Sequence, residues 1–184
     1  MLGDAAPAAE IRPPVARAIT LAPHITELIF AAGAGDKIVG TVSSSDFPAG
    51  ANAIPRVGDG MNANVEKTLA LRPDVAIAWL PSGAAQTLAP TLSRMGIPLL
   101  YSQPRMLDDI PAEIRRFGKL FATESTALPT AKALETRIAA LRASHAGSKP
   151  VSVFIEVGTS PLYTIGKDPL LNDCLLYTSD AADE

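Results

Sequence analysis

The first two thirds of the sequence alternate between short apolar runs and longer stretches in which apolar residues recur every three or four positions. The short runs are apolar at nearly consecutive positions, which is typical of parallel strands covered by helices on both faces. They occupy residues 17–21, 38–42, 75–78 and 97–101. The three-to-four spacing predicts amphipathic helices over residues 25–32, 65–71, 85–95 and 106–121. This order predicts an α/β fold with a parallel four-stranded sheet and right-handed crossovers.

A longer apolar stripe follows and predicts one long helix over residues 125–145, which Gly147 closes. The stripe consists of Leu128, Ala131, Leu134, Ile138 and Leu141. Residues 151–157 then predict a new strand, and a helix is expected to begin at residue 168. Since one strand cannot form a sheet alone, we expect these residues to begin a second, truncated α/β unit.

Composition narrows the class of protein. The chain has 184 residues, of which 47% are hydrophobic and 19% charged, so a globular fold with a substantial core is expected. The net charge of −3 and the lack of a basic cluster argue against a nucleic-acid partner. The single cysteine, Cys174, excludes an intramolecular disulfide and a cysteine-based zinc site. No apolar run is long enough for a transmembrane helix.

Both ends of the sequence differ from the rest. Residues 1–16 are rich in alanine and proline and lack the apolar core of a signal peptide, so we expect a leader without regular structure. Residues 174–184, CLLYTSDAADE, resemble a sequencing-library adapter translated in frame. We therefore expect the natural sequence to end near residue 173; a genuine acidic tail is the alternative, and the codons beneath these residues distinguish the two.

Candidate functional residues directly follow the predicted strands. His24 follows the first strand, Ser44 and Ser45 follow the second, and Trp79 follows the third. Asp46 also follows the second strand, but we interpret it as the cap of that turn. Because the carboxyl ends of parallel strands share one edge, where ligands bind in open α/β sheets, we expect a ligand site there. Trp79 can stack on a flat ligand and donate a hydrogen bond, although a core position is the alternative.

The loop and helix before Trp79 add further candidates. Gly58-Asp59-Gly60 precedes a helix but lacks the third glycine of a dinucleotide-binding motif. Glu66 lies in the first turn of the next helix, where a carboxylate is electrostatically favourable. His145 ends the long helix, where a cation is favourable, so we interpret it as structural.

Five segments together resemble the class III periplasmic solute-binding proteins, and most of all the vitamin B12-binding receptors of cobalamin ABC importers. They are LAPHITELIFAAGAGDKIVG, SSSDFP, IPRVGDGMNANVEKTLALRPDVAIAW, MGIPLLY and VFIEVGTSPLYTIGKDPLLND, and with the first strand and the long helix they span residues 17–173. The resemblance implies a Rossmann-like lobe over residues 17–123, a rigid helix over residues 124–147 and the start of a second lobe over residues 148–173. It also implies a monomeric periplasmic protein that binds a corrinoid between its lobes and delivers it to a permease, without catalysis or a cofactor.

The resemblance assigns roles to individual positions. Trp79 matches a ligand-contacting tryptophan, and His24 lies where the family lines its cleft, so it is expected to donate to corrin amides or to coordinate iron or cobalt. Ser44 stands where the family has a tyrosine that packs on the corrin, so that contact is expected to be lost or replaced. Asp59 and Gly60 stand where the family often has another aromatic residue in the cleft. Tyr163 matches an aromatic of the second lobe that faces the ligand. Glu66 matches an acid that docks on the permease.

Two alternatives remain open at this stage. A haem or iron-siderophore receptor of the same class is possible because His24 offers an axial ligand, although siderophore complexes are anionic and the predicted edge has few cations. An α/β hydrolase using Ser44 or Ser45 with His24 and Asp46 is the alternative of another class. The serines lack the G-x-S-x-G elbow, which disfavours it.

Overall fold

The computed structural model describes residues 11, 13–149, 151–166 and 168–175. Most of the predicted leader and most of the predicted adapter-derived tail lie outside these residues. The chain forms two compact units, one from residues 1–103 and 113–130 and the other from residues 104–112 and 131–184. Among the described residues, none of the helices combines the length and the hydropathy needed to cross a bilayer.

The first unit contains a parallel sheet of five strands. They are β1 (Ala18–Thr20), β2 (Ile38–Val42), β3 (Arg56–Gly58), β4 (Val75–Ala78) and β5 (Leu99–Tyr101), in the spatial order β3-β2-β1-β4-β5. The predicted α/β class and parallel sheet are confirmed, but the predicted number of four strands is wrong. The missed strand, β3, has only one apolar residue, Val57, so no hydrophobic pattern marks it.

Helices follow the strands at the predicted places. They are α1 (Pro23–Ala31), α2 (Val65–Ala70), α3 (Ala84–Arg94), α4 (Asp109–Phe121) and α5 (Glu124–His145). The start of α4 is later than the predicted residue 106. The Asp109 carboxylate accepts hydrogen bonds from the backbone N–H groups of Arg105 (2.8 Å) and Met106 (3.0 Å), which holds those residues in a turn before the helix.

The strand order creates a switch point between β1 and β4. From β1 the chain moves outward to β2 and β3, then crosses back to β4 and β5 on the other side. The loops after β1 and β4 therefore leave the sheet side by side and diverge, which opens a crevice at the carboxyl edge. On one face of the sheet, Ile19, Val57 and Ala76 pack with Leu88 and Leu92 of α3 in a buried core that supports this edge.

A buried hydroxyl network joins β1, α1, β2 and the turn after β2. The Thr20 hydroxyl lies 2.7 Å from that of Thr26 and donates to that of Thr41 (2.8 Å), and Thr26 donates to Ser45 (3.2 Å). All four residues are fully buried. Ser45 follows β2 as expected, but its hydroxyl is used by buried partners and is not available to a ligand.

The apolar stripe of α5 differs from the predicted one. Leu128 and Leu141 are 47% and 51% exposed, whereas Ala127, Ala131 and Ile138 are buried. In the first unit, α4 approaches Ala127 through Gly118: a Cβ at Gly118 would lie 2.4 Å from the Ala127 Cβ. This close contact between α4 and α5 requires a small residue at position 127, and the neighbouring Leu128 remains exposed.

The end of the second unit is a hairpin followed by a short helix. The hairpin pairs β6 (Glu156–Thr159) with β7 (Leu162–Thr164) in antiparallel fashion, and α6 spans Pro169–Leu175. The predicted strand over residues 151–157 is wrong for most of its length. Within the described residues, strand pairing begins only at Glu156, where β7 supplies a partner, and Val151, Val153 and Phe154 are exposed.

We expect the substitution Asn64→Ala to lower the free energy of unfolding by about 1 kcal/mol, because it removes the N-cap of α2. The Asn64 side chain accepts a hydrogen bond from the backbone N–H of Lys67 (2.8 Å). Urea unfolding measures the change, and Lys67→Ala, which keeps that N–H, is the matched control. An equal loss in both variants would contradict a capping role.

Candidate ligand-binding site

A cavity of about 290 Å³ opens at the carboxyl edge of the sheet in the first unit. Four of the predicted site residues line it: Ser44, Asp59, Gly60 and Trp79. Sequence reasoning missed the others, most of which are apolar: Leu21, Ala22, Pro23, Val42, Met61, Ala78, Leu80, Ser82, Gly83 and Ala85. Among the described residues, no lysine or arginine contributes to this lining. The cavity is therefore an apolar surface with a few hydroxyl groups and one carboxylate.

Trp79 forms the most prominent part of this wall. It is the residue directly after β4, and it remains 50% exposed although the strand before it is completely buried. A large aromatic side chain left half exposed in a concavity is a surface available for a ligand. The alternative of a core tryptophan is therefore excluded for this structure.

The Asp59–Gly60 loop is held in place by its own backbone. The Asp59 carboxylate accepts hydrogen bonds from the N–H groups of Asn62 (2.7 Å) and Met61 (3.0 Å), and these bonds lower the pKa of Asp59. Gly60 adopts φ +90°, and the space where a Cβ would stand is empty. Asp59 thus shapes the loop, and Gly60 keeps the cavity open beside it.

A second glycine permits the close approach of the loop that follows Trp79. Gly83 has φ +55°, and a Cβ there would lie 2.6 Å from the Gly60 carbonyl oxygen. The same Gly60 carbonyl accepts the N–H of Ala84 (3.0 Å) at the start of α3. The sequence feature that could have indicated this contact is the Ser-Gly-Ala-Ala run shortly after Trp79. A glycine at that place allows two backbone segments to approach closely.

His24 lies beside Trp79 but is not among the residues that line the cavity. Its ring meets the indole edge-on, with centroids 5.8 Å apart and an interplanar angle of 81°. Its Nε2 lies 3.3 Å from the backbone carbonyl oxygen of Ser102, just after β5. Burial lowers the pKa of His24, and the Ser102 carbonyl, Glu27 and Glu113 oppose that shift. The surroundings of His24 therefore favour the neutral imidazole.

Ser102 connects this pair to α4, a link that sequence reasoning missed. Its N–H donates to the carbonyl oxygen of Ala78 (2.9 Å), and its hydroxyl donates to the Glu113 carboxylate (2.5 Å). Arg116 donates both to Glu113 (3.0 Å) and to the carbonyl oxygen of Tyr101 (3.0 Å). No periodicity links these residues in the sequence; only the pairing of β4 with β5 brings them together.

The other polar residues after β2 do not form a catalytic arrangement. Ser44 is exposed at the cavity, Ser45 is buried in the hydroxyl network, and the Asp46 carbonyl oxygen accepts a hydrogen bond from Asn52 (3.1 Å). Within the described part of the chain, no hydrogen bond joins His24 to any of these three residues. The triad that the hydrolase alternative needs is therefore not assembled here.

The remaining predicted residues are not among those that line the cavity. Glu66 is exposed in the first turn of α2, without an ion pair among the described residues. Tyr163 belongs to β7 of the second unit and is 55% exposed, so its predicted ligand contact stays a prediction. The Nδ1 of His145 lies 2.9 Å from the Leu141 carbonyl oxygen. Across the residues that are described, no cluster of three or more histidine, cysteine or acidic side chains could hold a metal ion.

Comparison with known proteins places the chain in a family. Residues 19–176 match the family described as periplasmic binding protein. The chain belongs to the periplasmic binding protein family. A vitamin B12-binding protein of Yersinia pestis (strain Pestoides F) is 36% identical over 148 residues, which are 80% of this chain and 52% of that protein. The chain thus spans about half the length of the curated relatives it matches.

Solved structures of the periplasmic binding protein family agree. The periplasmic vitamin B12 binding protein BtuF of Vibrio cholerae aligns with a TM-score of 0.82 at 30% identity, covering 91% of this chain and 68% of that one. The periplasmic heme-binding protein RhuT from Roseiflexus sp. RS-1, in apo form, aligns with a TM-score of 0.74 at 27% identity, covering 89% and 64%. The resemblance to class III periplasmic solute-binding proteins, near the vitamin B12-binding ones, is confirmed.

Proposed function

We propose that this protein captures a corrinoid in the periplasm and delivers it to an ABC importer. The observation that carries the proposal is the half-exposed Trp79 in an apolar cavity whose described lining contains no lysine or arginine. Such a wall suits a broad ligand without net negative charge, which can be bound through surface contact and a few hydrogen bonds. The identity to vitamin B12-binding relatives supports the same ligand.

Haem is the main competing ligand, since a heme-binding protein shares the fold. Two observations disfavour it. Haem carries two carboxylates, and the described lining offers no cation to pair with them. Haem also needs an axial ligand on its iron, and because the Nε2 of His24 is used by the Ser102 carbonyl oxygen, only the Nδ1 of that ring could bind iron. An anionic ferric siderophore is disfavoured by the same lack of cations.

Delivery to the importer is assigned to Glu66. Its carboxylate is exposed on α2 and has no ion pair among the described residues, so it is available for a cationic pocket on a permease. Charge pairs of this kind increase the encounter rate and fix the docking register. No bond of the ligand changes in this process, so the proposed activity is binding and release.

The proposal is tested by measuring dissociation constants for cyanocobalamin, cobinamide, haemin and a ferric siderophore with the full-length protein. We expect cyanocobalamin and cobinamide to bind more tightly than the other two, because the cavity wall contacts the corrin ring that both share. Preference for haemin or the siderophore would reject the corrinoid assignment.

A further inference from the structure

His24 connects the carboxyl ends of two strands beside Trp79, a residue of the proposed ligand surface. Trp79 follows β4, and Ser102 follows β5; the N–H of Ser102 donates to the carbonyl oxygen of Ala78, the residue before Trp79. His24 reaches both ends from the second position of α1, with its ring edge-on to the indole and its Nε2 3.3 Å from the Ser102 carbonyl oxygen. The three residues therefore form one contiguous support.

The hydrogen bond defines which nitrogen of His24 carries the proton. A backbone carbonyl oxygen can only accept, so Nε2 must donate, and in the neutral ring Nδ1 is then the unprotonated nitrogen. Nε2 cannot bind a metal ion while it donates to Ser102. The imidazole ring contacts the indole of Trp79, and Trp79 itself lines the cavity.

We propose that His24 is a positioning residue, which holds the Trp79 indole against the ligand cavity by anchoring itself to the Ser102 carbonyl. The inference rests on the proposed function to the extent that Trp79 contacts the ligand. The contact between His24 and Trp79 itself exists without any ligand and can be tested in the empty protein.

Protonation of the imidazole is the natural probe of this contact. The charged groups that face His24 are Glu27 on its own helix and Glu113 on α4, and Glu113 is paired with Arg116. Both acids favour the protonated ring, but burial outweighs them and lowers the pKa of His24 from 6.5. The pKa of His24 is lower in the folded chain than in the unfolded chain. The neutral, buried His24 therefore contributes its full share to the free energy of unfolding above pH 6.5, and this contribution is lost as the pH falls below that value.

The test uses the fluorescence of Trp79, since the chain has one tryptophan and two histidines. A protonated imidazole in contact with an indole quenches its emission. In the whole chain without ligand, we expect the emission to fall as the pH is lowered, with a midpoint below 6.5. His24→Gln retains a donor for Ser102, and His24→Phe retains a ring beside Trp79; neither variant titrates, so the transition should vanish in both.

His145→Gln is the matched control, because His145 lies in the second unit and bonds within α5. This variant should keep the transition. A flat emission curve over the whole pH range in which the parent chain stays folded, or an unchanged transition in both His24 variants, would overturn the contact.

Ligand affinity separates this inference from the proposed function. In the full-length protein, His24→Ala should weaken cyanocobalamin binding by about two- to tenfold, the range of one aromatic pair interaction. Unchanged affinity in His24→Ala would overturn the positioning role and leave corrinoid binding intact. A clear pH transition in a protein that binds no corrinoid would overturn the proposed function and leave the His24–Trp79 contact intact.

Discussion

Replacing Trp79 with alanine is expected to weaken cyanocobalamin binding by about 2 kcal/mol, or roughly thirtyfold, as for a central aromatic contact. The indole is half exposed in the cavity and follows a fully buried strand, so truncation removes ligand-facing surface without opening the core. Calorimetric titration of the full-length variant measures the loss.

Two further variants make the Trp79 experiment specific. Trp79→Phe keeps a ring but loses the indole N–H, so it should retain a large part of the affinity. Met95→Ala is the matched control, because Met95 is an exposed apolar residue at the end of α3 and outside the cavity lining. Equal affinity of Trp79→Ala and the parent protein would mean that the ligand binds elsewhere.

Reversing the charge at Glu66 is expected to abolish uptake while leaving ligand affinity unchanged. Glu66 lies on α2, and the cavity lining does not include it, so Glu66→Arg places like charges against the proposed cationic pocket of the permease. Juxtaposed like charges cost several kcal/mol at an interface. Corrinoid uptake in cells that depend on this protein, together with the dissociation constant of the purified variant, measures the two effects separately.

The control for Glu66 is Asp36→Arg, another charge reversal on the first unit. Asp36 is exposed, and its ion pair with Lys37 is of the surface kind that contributes little. Uptake should survive this change. Normal uptake with Glu66→Arg, or equal loss with Asp36→Arg, would reject docking through α2.

Secondary structure was predictable where burial makes the pattern strong. The strands β2 and β4 have the predicted limits because Ile38–Val42 and Val75–Ala78 are largely buried and apolar. The strand β3 escaped notice because a three-residue edge strand needs only Val57 in the core. The strand predicted over residues 151–157 failed because apolar residues form a strand only where a partner strand pairs with them.

The sequence allowed us to predict that a site lies at the carboxyl edge of the sheet, but not which side chains contact one another there. The rule that ligands bind at the carboxyl ends of strands pointed to Trp79 and Ser44, and both line the cavity. The Asp59–Gly60 loop was expected only from the family resemblance, because the strand before it, β3, was not predicted. The rule could not distinguish Ser44 from Ser45, because neighbouring hydroxyls are equivalent in sequence while only one is turned into the buried network. The support of His24 by Ser102 depends on residues 78 positions apart, so only the folded chain reveals it.

The most direct test of corrinoid binding on the Trp79 wall is a titration of the full-length protein with cyanocobalamin, followed through Trp79 emission. Free tryptophan amide at the same absorbance corrects for light absorbed by the ligand. We predict that cyanocobalamin quenches the Trp79 emission until its ratio to the protein is equimolar. Once one equivalent of corrinoid is bound, a further equivalent should cause no additional quenching. Unchanged emission with cyanocobalamin, together with saturable quenching by haemin, would contradict it.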